Sequence, residues 1–244
     1  MASKMVTDRQ KSAALLLAIL DAQGARLRAG LEADLGGEAG AAGLAYLAGM
    51  GSRLATARDA MVAADEAHEA ELGDDPAARD ARDAASSALR ERMITLREIV
   101  RGVYGAAAEE AVFTGRIPMD AVVVARTAGE VATRLEAARL PEPRVSGAAL
   151  DVAALAAELR AGRAALEKAL DDVAREAREA QVTLTEKTES MAAYDRVFVQ
   201  FASSLFSAFE SAGEPALAAR VRPSRRRPGQ LDVVPPDVDP ALGA

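Results

Sequence analysis

Apolar residues recur every three or four positions over long stretches of this chain, and glycine and proline punctuate the stretches. That period belongs to amphipathic helices with one side turned to a core. It predicts a first helix over about 8–35, with Leu16, Leu20, Leu27, Leu31 and Leu35 along one side. Thr7 or Asp8 suits its N-terminus, and Gly36-Gly37 its end. A second helix is expected over about 38–72, where Leu44, Leu47, Met50, Leu54, Ala57 and Met61 form a stripe. Asp65 and its acidic neighbours fall mostly on other faces, and His68 reads as a solvated residue among them. Gly73-Asp74-Asp75-Pro76 reads as a tight turn, with glycine as stop and proline at the next first helical position. A connection that short predicts an antiparallel hairpin with a third helix over about 76–113. The alanine-rich first half of that helix offers little area to bury, whereas Leu89, Met93, Leu96, Val100 and Tyr104 make the second half richer.

Thr114-Gly115-Arg116-Ile117-Pro118 is the next break, and a helix over about 119–140 opens with Asp120 near its N-terminus. The stretch 141–147, with Pro141 and Pro143, reads as a linker or long turn. A helix over about 148–182 carries Leu155, Leu159, Leu166 and Leu170. The threonine-rich stretch 183–190 is expected to turn, with Thr183 and Glu186 as a capping box; one continuous long helix is the alternative. The last helix, over about 191–221, holds Tyr194, Phe198, Phe201, Leu205 and Phe209 and is expected to be the most buried.

These elements predict an all-α fold: an antiparallel helical bundle of about five or six helices over 1–221, followed by a disordered Arg- and Pro-rich tail over 222–244. The halves 36–118 and 146–221 look alike in outline, with the 119–140 helix between them, so two duplicated helical hairpins are one form the bundle can take.

Composition agrees with the helical reading. The chain has 59 alanines in 244 residues, and aromatics make up only 3%, which suits helices and starves sheets. No Cys is present, so disulfides, thiolate chemistry and Cys-ligated metal are excluded. The net charge of −7 argues against a general nucleic-acid binder, and no clear nucleic-acid partner is expected. No apolar run approaches the length of a transmembrane span. Lys4, Arg9 and Lys11 before a short apolar stretch, with Ala22-Gln23-Gly24 after it, imitate a signal peptide. The apolar stripe continues past that point, which favours a buried first helix and a cytoplasmic protein.

Catalytic and metal chemistry finds little to build on. His68 is the single histidine, so no second Glu-x-x-His-type motif is available for a di-iron bundle and no two-imidazole site can form. No Gly-x-Ser-x-Gly elbow or glycine-rich phosphate loop occurs. Gly49-Met50-Gly51 lies on a helix face and reads as a close helix contact. The sequence therefore assigns no catalytic residue, no metal ligand and no cofactor.

The composition changes at the C-terminal end. Arg220, Arg222, Arg225, Arg226 and Arg227 fall within eight residues. Such a cluster is suited to phosphates or acidic surfaces, and cations at a helix end also simply complement its dipole. Leu231, Val233 and Val234 follow as a short apolar motif, a candidate docking peptide. The expectation is a non-enzymatic structural, scaffold or interaction bundle with an unknown protein partner or self-association. The alternative is a module that docks through its tail on an acidic protein or nucleic acid.

Overall fold

A computed structural model describes residues 3–144, 147 and 149–232. Among them are six helices, α1 (Lys4–Leu35), α2 (Gly37–Tyr104), α3 (Ala106–Val112), α4 (Ala121–Ala137), α5 (Val152–Ser211) and α6 (Pro215–Arg220), and no strand beyond one isolated bridge. The fold is the expected all-α bundle. The predicted turn at 73–76 is not a turn: α2 is continuous for 68 residues with Pro76 inside it. Pro76 removes only its own N–H from the ladder, and Leu72, Gly73 and Pro76 are exposed, so water can serve the freed carbonyl. The threonine-rich stretch is likewise helical inside α5, which runs for 60 residues. Thr185 and Thr188 donate their hydroxyls to the carbonyls of Gln181 and Leu184 at 2.9 and 2.8 Å, which lets them remain in a helix. Both long helices are thus continuous, and α5 takes the alternative form in which 183–190 belongs to one long helix.

The chain divides into two compact units, 1–70 with 181–244 and 71–180. Each long helix thus gives one portion to each unit.

In unit 1, α1 and the first part of α2 are antiparallel neighbours joined at Gly36, whose φ of 88° lies in the region glycine favours. Leu17 and Leu20 reach Gly51, while Ser3 meets Asp65. The second part of α5 lies parallel to α1, with Arg9 against Asp195 and Gly30 against Ala212. The core is filled by Leu16, Leu27, Leu54 and Met61 together with Tyr194, Phe198, Phe201, Leu205 and Phe209, each fully buried. The α1 stripe continues across the signal-like site at 22–24, since Leu16, Ile19, Leu27 and Leu31 all belong to this one core.

Unit 2 joins the remaining portions of α2 and α5 to α3 and α4. Those portions of α2 and α5 are antiparallel, with Arg92 bonded to Glu158 at 3.1 Å and Leu89 packed on Gly162. Asp120 caps α4 by accepting from the Val123 amide at 3.0 Å. Val124, Ala128, Val131 and Leu135 of α4 close the core over Met93, Val100, Leu159 and Leu166. The alanine-rich stretch of α2 is mostly exposed, as its small side chains imply.

Candidate interaction surface

Unit 1 holds the candidate surface and the polar groups that fix it. Arg9 is buried and bonds Asp195 through Nε and Nη2 at 2.8 and 2.9 Å, a bidentate pair. The hydrogen bond to Asp195 keeps the Arg9 guanidinium charged, raising its pKa against the cost of burial. Beside it the Tyr194 hydroxyl donates to the Arg9 carbonyl at 2.8 Å, and the Gly229 carbonyl lies 3.3 Å away. Burial, followed by the nearby Asp195 carboxylate, pushes the Tyr194 phenol well above its ordinary pKa. Gly229 has φ 67°, and a Cβ on it would stand 2.8 Å from Tyr194 Cε1, so only glycine fits there.

That contact seats the segment after α6. Residues 222–232 double back on themselves: Pro223 and Leu231 form an antiparallel bridge, Ser224 N donates to Gln230 O at 2.8 Å, and Asp232 N to Arg222 O at 3.0 Å. Val221 and Leu231 are buried in the unit 1 core, Leu231 with only 7% exposure. The predicted tail therefore does not begin at 222, because the aliphatic side chains at 221 and 231 bury and hold the loop between them. Leu231 is an anchor in the core, so it is not free to dock elsewhere. Val233 and Val234 lie outside the described residues.

Four of the five sequence-predicted arginines are displayed by this arrangement. Arg220 ends α6, and Arg222, Arg225 and Arg226 stand on the loop, all exposed. Arg227 is exposed too, but its Nη2 donates to the Leu231 carbonyl at 3.0 Å and helps close the loop. Arg222 lies over the Phe206 ring, with Cζ 5.2 Å from the centroid, a cation–π contact that fixes its direction. A groove of about 800 Å³ runs beside it, lined by Val199, Ser203, Phe206 and Ser207 of α5 and by Arg222, Pro223, Ser224, Arg225 and Asp232.

A second polar group in unit 1 departs from the expected solvated placement. Asp65 is fully buried, with Lys187 Nζ at 2.7 Å from Oδ1 and the Ser3 amide donating to Oδ2 at 2.8 Å. Burial alone would raise its pKa; Lys187 and the Ser3 amide outweigh that and hold it below the ordinary value. His68 is also buried, its Nδ1 3.0 Å from Thr183 Oγ1. The reason is positional. Leu54, Met61, Asp65 and His68 continue one helical stripe, so the polar pair takes core positions. The sequence signal was this spacing, overridden by the residues' polarity.

In unit 2, Glu71, Glu176 and Glu179 bring carboxylate oxygens within 4.8 Å of one another. Arg175 bonds Glu176 at 3.0 Å and approaches Glu179 at 4.0 Å, so the chain's own cation already serves two of the three. A shallow apolar groove of about 380 Å³ lies between α2 and α5, lined chiefly by Leu96, Ile99, Leu155 and Leu159 and rimmed by the Arg92–Glu158 pair. No helix among the described residues is long and apolar enough to cross a membrane. Comparison of the chain with known protein families, with curated proteins and with solved structures finds no match.

Proposed function

We propose that this chain is a non-enzymatic protein-interaction bundle whose contact surface is the arginine loop of unit 1, and that its partner presents an acidic protein surface. One observation carries the reading. Arg220, Arg222, Arg225 and Arg226 are exposed on a loop anchored by Val221, Gly229 and Leu231, and among the described residues none of the four is ion-paired. Elsewhere Arg126, Arg134, Arg160, Arg163 and Arg175 each have a carboxylate partner within their own unit. Exposed arginines without an ion pair among the described residues, such as Arg116, Arg139 and Arg196, stand singly in the sequence rather than clustered on one loop. In a chain with a net charge of −7, cations left without partners and held in place are suited to complementing another molecule's charge.

The absence of a matched acid, base and nucleophile set in the sequence supports the non-enzymatic part. His68 is engaged with Thr183 and Asp65 with Lys187, so both polar pairs have structural work inside the core.

The test is affinity capture from native lysate with the full chain and with a variant carrying Gln at Arg220, Arg222, Arg225 and Arg226. A protein recovered by the first, lost with the second and released by raised salt is the expected result. Equal recovery by both would move the working surface to the helical body, and recovery of the chain's own copies alone would make it a self-assembling scaffold.

A further inference from the structure

We infer that the groove between α5 and the arginine loop is a seat for an extended peptide that alternates acidic and aliphatic side chains; this rests on the arginine-loop reading and names its ligand. The argument begins with the two walls. Val199, Ser203, Phe206 and Ser207 share one face of α5, spaced by four, three and one residues. The loop supplies Arg222, Pro223, Ser224 and Arg225 opposite, with Asp232 at the rim. The volume of about 800 Å³ falls in the range of about 300–1,000 Å³ usual for ligand clefts.

The chemistry of the walls selects the ligand. Arg222 is held over Phe206, so its guanidinium is oriented before anything binds. Arg225 is exposed and makes no hydrogen bond or ion pair among the described residues. One oriented and one unpaired guanidinium group call for carboxylates, which they bind with charge-assisted hydrogen bonds. Val199 is 44% exposed and gives an aliphatic side chain something to cover. Ser203 and Ser207 are also available. Ser12, Ser52, Thr185 and Thr188 return their hydroxyls to the carbonyl four residues back, whereas the hydroxyls of Ser203 and Ser207 make no hydrogen bond among the described residues. Free hydroxyls beside a groove are suited to the N–H and C=O groups of an extended backbone.

The apolar part of the lining separates a peptide from a uniform polyanion. Val199 and the Phe206 ring offer surface that aliphatic side chains cover and a phosphate backbone does not, and Asp232 can accept from peptide N–H groups. The mixed lining of cations, hydroxyls, apolar surface and one acid therefore matches a peptide with alternating side chains, whose successive residues point to opposite sides.

The experiment uses the full chain and a fluorescein-labelled peptide of alternating glutamate and leucine, read by fluorescence anisotropy. The peptide is expected to bind, and an alternating lysine–leucine peptide is expected not to compete. Arg222→Ala and Arg225→Ala should each weaken binding by about tenfold, as loss of a charge-assisted contact implies. Arg220→Ala and Arg226→Ala, outside the groove, should change it by less than about twofold, the scale of an exposed charge. Ser203→Val with Ser207→Val should weaken it while leaving its salt dependence unchanged. Thermal unfolding of each variant guards against misfolding. If Arg222→Ala does not fold, Arg225→Ala decides, since that side chain supports no other residue. Equal losses from Arg226→Ala and Arg225→Ala would overturn the groove and leave the arginine-loop reading standing. A duplex DNA oligonucleotide that binds more tightly than the peptide and responds to the same variants would overturn the peptide assignment. No binding of either probe at low salt would overturn both readings.

Discussion

Arg9 of α1 and Asp195 of α5 stand 186 residues apart in sequence and meet as a bidentate pair at 2.8 and 2.9 Å. The pair binds the start of the chain to its last long helix, and Gly229 of the arginine loop rests against both residues. Arg9→Met combined singly and doubly with Asp195→Asn should give a coupling of about 1–2 kcal/mol in denaturant unfolding. Each single variant should also speed tryptic cleavage within 222–227, because the loop loses its seat. Cleavage as slow as in the parent chain would mean the loop keeps its seat without the Arg9–Asp195 pair.

Leu231 gives the second expectation. Its side chain lies in the unit 1 core, so Leu231→Ala should lower stability by about 2–4 kcal/mol. Arg226→Ala, a few residues away and exposed, should leave stability within about 0.5 kcal/mol of the parent. A dispensable tail would make the two substitutions equivalent.

Asp65 and Lys187 predict an acid response. The folded Asp65 pKa is depressed below its ordinary value of 3.8. Its contribution to stability is therefore present above that value and is lost as pH falls through the depressed folded value. Lys187→Met leaves the buried carboxylate without its counter-charge and should cost about 3 kcal/mol at neutral pH. Asp65→Asn should remove this part of the acid dependence, measured as unfolding midpoint against pH. An unchanged acid limb would show that other carboxylates set it.

Tyr194 predicts the opposite limb. Its folded pKa is raised above the ordinary 10.0, so its contribution is fully present below about pH 10 and is lost as pH rises toward the folded value. In a spectrophotometric titration one of the three phenols should ionise only as the protein unfolds. Tyr194→Phe should abolish that late step while keeping the ring in the core. A late step that survives the substitution would mean that it does not belong to Tyr194.

Pro76 tests the continuity of α2. Inside a helix it costs a hydrogen bond and a steric clash, so Pro76→Ala should stabilise the protein by about 1–3 kcal/mol. If 73–76 were a turn with proline at the first helical position, the same substitution would be neutral or destabilising.

Local information in the sequence was enough to determine the helices and their buried faces. The three-to-four spacing of Phe198, Phe201, Leu205 and Phe209 marks a core stripe, and those residues are fully buried. Asp120 caps α4 close to where its charge and position suggested, because capping depends on three or four neighbouring residues. The five arginines were visible as a cluster for the same reason. Only the tertiary structure decided what long-range packing controls. A proline and a glycine at 73–76 are strong local stop signals, yet α2 runs through them, where exposure lets water serve the one carbonyl that Pro76 leaves free. Asp65 and His68 are polar by identity and buried by position, and their partners Lys187 and Thr183 lie more than a hundred residues away. The loop at 222–232 reads as unfoldable by composition. It folds because Leu231 and Gly229 find α1 and α5, contacts that no window of neighbouring residues contains.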